Sequence, residues 1–118
     1  MAEGHVHLTS CAVDKRLLLQ GHETAQHSTH KVNAVLHEVA CELEKAGCRF
    51  IGHIKALLDC GEAGEIFFSI TRFGQKPRQK GVLTGNVTEI HLIINAILPD
   101  VPKPVVEEIV RKALNRQF

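Results

Sequence analysis

The run NVTEIHLIINAILP, Asn86 to Pro99, constrains this chain more than any other stretch. Its nearly continuous apolar character suits a strand inside a sheet, with a helical C-terminal end as the alternative. On a two-residue period, Ile90, Leu92, Ile94, Ala96 and Leu98 share a dry face, while Glu89, His91, Ile93 and Asn95 share a mixed one. Such a strand calls for helices over its dry side and leaves the other side open.

The helices are legible. Between Thr24 and Ala46, Val32, Val35, Leu36, Val39 and Leu43 recur at three- and four-residue steps, and Gly47 stands where a helix stops. In PKPVVEEIVRKALNRQF, the prolines suit a first turn. Val105/Val106, Ile109/Val110 and Ala113/Leu114 form an apolar stripe, and Lys and Arg residues gather near the C-terminal end.

Further strands are expected at HVHLTSCAV (residues 5–13), CRFIGHIKALLD (48–59) and EIFFSITRF (65–73), with CGEAG as a hairpin turn between the last two. Residues 14–21 read as a connection or a short second element, and GQKPRQKG as a basic connecting loop. At 118 residues and 44% hydrophobic, the chain has material for one core. The prediction is a single α+β domain over residues 1–118, in the order β-α-β-β-β-α. A mostly antiparallel four-stranded sheet carries both helices on one face. The first strand, first helix and second strand suit a right-handed crossover.

Composition narrows the function classes. Lys+Arg 14 against Asp+Glu 13 gives a net charge of +1, so no global field draws the protein to nucleic acid or to an anionic membrane. The start MAEGHVHLTSCAV lacks the basic and long apolar segments of a signal peptide, and no apolar run is long enough to span a bilayer. The expectation is a soluble cytoplasmic protein. Cys11, Cys41, Cys48 and Cys60 form no CxxC pair, so reduced thiols are expected. With five Phe and no Trp or Tyr, stacking residues are scarce, and the phenylalanines read as core.

Candidate chemistry lies in the histidines. On a helical wheel, His30, His37 and Cys41 fall about 140–180° from Val32, opposite the core stripe. His37 and Cys41 have the i,i+4 spacing that places two ligands on one ion, whereas His30 sits about 10 Å further along the axis. The plain alternative is a solvated face shared with Glu44 and Lys45. His5 and His7 form a second same-face pair with metal-compatible spacing.

On the sheet, Phe50, Ile54, Ala56 and Leu58 are expected on one face, and Ile51, His53, Lys55 and Leu57 on the other. His53, Lys55, His91 and Asn95 then define an open surface for a ligand or partner. A catalytic alternative assigns His53 or His91 as general base, Lys55 to an anion, and Ser69 or Thr71 as nucleophile, with no spacing that fixes those roles. The helix reads HEVAC, not HExxH, and neither GxGxxG nor GxxxxGK[ST] occurs. Arg72, Lys76, Arg78 and Lys80 form a basic loop suited to phosphate or an acidic protein, or simply to solvent.

Taken together, GCRFIGHIKALLD, EIFFSITR and GVLTGNVTEIHLIINAIL resemble the C-terminal domain of the CobW-type GTPases, over about residues 24 to 114. Ile54 and Lys55 match that domain's Ile-Lys strand pair. The family's phosphate-binding loop and cysteine metal motif belong to its GTPase domain and are missing from this sequence, so neither GTP hydrolysis nor that metal site carries over. The resemblance implies a stand-alone accessory module in metal or cobalamin-related cofactor handling, beside a separate GTPase or metalloprotein. The expected role is therefore a non-catalytic binding module, with a divalent transition metal as the cofactor to test. The rivals are a small His/Lys enzyme on the open face, and a homo-oligomeric module that buries Ile51, Leu57 and Ile93.

Overall fold

The computed structural model describes residues 8–118. In chain order it contains β1 (Leu8–Thr24), α1 (Ala25–Lys45), β2 (His53–Asp59), β3 (Gly64–Ile70), β4 (Arg78–Leu83), β5 (Asn86–Pro99) and α2 (Lys103–Gln117). A 3-10 turn at Gly61–Ala63 joins β2 to β3. His5 and His7 lie outside the described residues.

Capping chemistry sets the start of α1. The hydroxyl of Thr24 accepts the His27 backbone N–H at 3.0 Å, which satisfies one of the free donors of the first turn. Beside it, Ser28 is fully buried and donates to Glu23 Oε1 at 2.6 Å, while Lys31 reaches Glu23 Oε2 at 3.1 Å. Burial alone raises the Glu23 pKa. The hydrogen bonds from Ser28 and Lys31, and the Lys31 charge, override it and hold the carboxyl below its usual range.

The sheet runs β1-β5-β2-β3-β4, with every neighbouring pair antiparallel. It has five strands where four were expected. The missed one is β4: its residues, RQKGVL, show no apolar alternation because all but Leu83 are exposed. Part of the basic connecting loop is thus strand, and Arg78 and Lys80 sit in the β3–β4 ladder. The first strand also continues through residues 14–24, with a register shift between Leu18 and Glu23.

β1 and β2 are not neighbours. Both pair antiparallel with β5, so they run parallel to each other with the last strand lodged between them. The expected crossover unit is therefore split.

The dry face of β5 carries Val87, Ile90, Leu92, Ile94, Ala96 and Leu98, all buried. Both helices cover that side: Val32, Val35, Leu36, Val39 and Leu43 of α1, and Val106, Val110, Ala113 and Leu114 of α2, complete one core. An ion pair from Arg116 to Glu38 ties the helices together.

Two face assignments need correction. Ile51 is buried in the core and Phe50 is half exposed, because the chain bends at Gly52 and the strand alternation starts only at His53. Nor are the phenylalanines uniformly core: Phe68 is buried, but Phe67 lies on the uncovered face at 48% exposure.

Candidate ligand groove and open sheet face

Two surfaces bring chemistry-bearing side chains together. The first is a groove between α1 and the β3–β4 connection, a cavity of about 700 Å³. Its helical wall presents His30, Asn33, His37 and Cys41, and its far wall includes Phe73 and Lys76. The side of α1 opposite the core stripe thus borders the β3–β4 connection, with His30, His37 and Glu44 exposed and Asn33 and Cys41 half-buried.

Within the groove, Cys41 Sγ lies 3.6 Å from His37 Nε2. With Zn–S near 2.3 Å and Zn–N near 2.0 Å, a tetrahedral zinc separates such donors by about 3.5 Å. The Cys41–His37 separation is that of a thiol–imidazole hydrogen bond and also equals this donor spacing. Among the described residues, no group of three His, Cys, Asp or Glu converges on one point, so an ion here would have two protein donors. Asn33 adds a further feature: its side-chain oxygen is buried with no hydrogen-bond partner. An orphaned buried acceptor costs about 1–3 kcal/mol, which a donor on a bound ligand would offset.

The other thiols are differently placed. Cys11, Cys48 and Cys60 are buried, whereas Cys41 is partly exposed. Burial, then the charges of Asp59, Glu23 and Glu89, push the Cys60 thiol up to about 11 from its ordinary 9.0. Cys60 is therefore a core residue and not a nucleophile at neutral pH. Because its folded pKa lies above its unfolded one, the unfolded chain sheds that proton first, and stability falls as pH climbs from 9 toward 11. Urea midpoints across this window should decline, and a Cys60→Ala variant should show a shallower decline. An unchanged slope would refute this account.

The second surface is the uncovered sheet face. Cross-strand register sorts it into rows. The middle row runs Asp14, Ile93, Leu57, Phe67, Lys80; on one side lies Ala12, Asn95, Lys55, Ser69, Arg78, and on the other Arg16, His91, Asp59, Glu65, Val82. His53, Lys55, His91 and Asn95 share this face, as the alternation predicts, but they do not converge. His53 stands opposite Ile97 and His91 opposite Asp59, so about 20 Å of strand separates the two imidazoles. They cannot share one ion. His91 instead bonds Asp14 at 2.9 Å, from β5 to β1. Thr71 has its amide and hydroxyl engaged by Gln75 and lies one step beyond the Ile54–Ile70 pair, at the His53 end of the sheet and far from His91.

No family model matches the sequence, and no curated protein matches it. Among solved structures, the crystal structure of a zinc(II)-bound triple mutant of the GTPase YjiA is similar, at TM-score 0.48 and 16% identity, over 93% of this chain. The chain spans 29% of that protein's length. No helix of the described residues is long and apolar enough to cross a membrane.

Proposed function

We propose that this chain is a non-catalytic binding module with an accessory role in metal handling, and that it takes up a borderline divalent ion between His37 and Cys41. The observation that carries the reading is the 3.6 Å approach of Cys41 Sγ to His37 Nε2 inside the α1 groove. Thiolate with imidazole selects zinc-like ions over magnesium or calcium, which prefer oxygen donors. An ion held by two protein donors is exchangeable, as handing it to a GTPase or metalloprotein partner requires, whereas a structural zinc is closed by four protein ligands.

Titration of the purified protein with Co²⁺, followed by absorbance, tests the reading. Saturable binding with a thiolate-to-cobalt charge-transfer band is expected. Cys41→Ser should abolish the band, and either Cys41→Ser or His37→Ala should weaken binding roughly tenfold or more. Absence of saturable binding, or binding indifferent to both substitutions, sinks the proposal.

A further inference from the structure

The near-neutral charge of the whole chain conceals a local imbalance. From Ile66 through Thr88 the sequence holds Arg72, Lys76, Arg78 and Lys80 and no Asp or Glu. The strand register brings part of that charge onto the uncovered sheet face. Asn95, Lys55, Ser69 and Arg78 stand side by side there on β5, β2, β3 and β4, and each side chain carries a hydrogen-bond donor.

Lys55 and Arg78 are both exposed and lie two strand spacings, about 10 Å, apart, with the Ser69 hydroxyl between them. Both side chains are long enough to meet over that hydroxyl, where a tetrahedral oxyanion would receive two charged donors and one neutral donor. Among the described residues, none of Lys55, Arg78 and Lys80 forms an ion pair. The acids of this face stand apart from the row. Asp59 and Glu65 are about 13 Å along the strands, and Asp14, on β1, is bonded to His91. In the row between lies Phe67, 48% exposed, two residues from Ser69 on β3 and directly opposite Lys80.

We infer that this half of the open face binds single-stranded nucleic acid, with a backbone phosphate over Ser69 between Lys55 and Arg78 and a base stacked on Phe67. A phosphate and its own base are joined over a distance comparable to the step from Ser69 to Phe67, about 7 Å. Any base offers a π-face to such a ring, whereas the bases of a duplex are already stacked on one another. An open sheet touches its ligand on one side only, while a small-molecule site is concave and buries most of what it holds. A polymer gains by repeating contacts, and Lys80 beside the ring stands where a second phosphate would pass. An acidic protein segment would satisfy the cations and leave the ring unused. This inference rests on the sheet face and is independent of the metal reading.

Fluorescence anisotropy of the full chain with labelled oligo(dT) at low salt tests it. Saturable binding is expected, with log affinity falling against log salt at a slope of about −2, near 0.7 for each of three neutralised phosphates. Lys55→Ala and Arg78→Ala, both at exposed positions, should each weaken binding and flatten that slope by about 0.7. Phe67→Leu keeps an apolar side chain beside Leu57 but removes the ring, so affinity should fall about fivefold or more with the slope unchanged. Lys45→Ala, at the end of α1 away from this face, should change neither. No saturable binding, a duplex bound as tightly as the single strand, or a Phe67→Leu variant of unchanged affinity overturns the proposal. Displacement of the oligonucleotide by poly-glutamate at equal charge also overturns it, since that would make the face a site for acidic protein.

Discussion

Gly81→Ala is expected to strip β4 from the sheet. Gly81 has φ +119, a conformation that L side chains rarely adopt, and a Cβ there would sit 2.3 Å from the Glu65 carbonyl oxygen and 3.1 Å from Ile66 Cα. Both contacts are backbone atoms of the paired strand, so no rotamer change relieves them. Gly64, across the same pair, is in the reciprocal situation: φ is +111, and its Cβ would meet the Val82 carbonyl oxygen at 2.4 Å. Strain of this kind together with the clash costs about 3 kcal/mol or more. Since β4 is an edge strand with one partner, detaching it is the least costly escape. Hydrogen exchange should show amide protection at Arg78–Leu83 falling by about two orders of magnitude, with β2 and β5 largely unaffected. Uniform loss of protection across the sheet would contradict a local release, and full retention would contradict the strain.

Leu58→Ala should act globally instead. Leu58 is fully buried on the central strand, beneath the helices and beside Ile66 and Leu92 in the cross-strand register. Truncation removes packed methyl groups and leaves a cavity that neighbours held by strands on both sides cannot close. The cost should be about 3–5 kcal/mol, with a midpoint drop in thermal denaturation of roughly 10–20 °C. A drop of only a degree or two would mean that the core relaxes around this site.

Much of the fold was legible because its most constrained elements announce themselves by period. Asn86 to Pro99 is the strand its alternation describes, Val32 to Leu43 is the buried stripe of α1, and the prolines before Val105 open α2. Legibility fades at the sheet margins. β4 is exposed on both faces, and in the second half of β1 burial alternates through Gln20 while the residue types, with Leu17, Leu18 and Leu19 in a row, do not. The placement of β5 between β1 and β2 is a choice among pairings that local sequence does not rank. The groove was half legible: the wheel gathers His30, His37 and Cys41 on one line, but what faces them is set by where the β3–β4 connection lands. On the sheet, alternation assigns His53, Lys55, His91 and Asn95 to one face but says nothing of the spacing along it, which the ladder register supplies.

The lodging of β5 between β1 and β2 has a consequence for the order in which the molecule assembles. β1 has no other strand partner, so its 17 residues stay unpaired until the chain has been made through residues 86–99. The closing step joins segments about 80 residues apart, and its loop entropy must be met before the central ladder rewards it. Folding is therefore expected to be slow for a domain of this size. A chain halted before Asn86 would hold the β2–β3–β4 meander without the strand that unites it with β1.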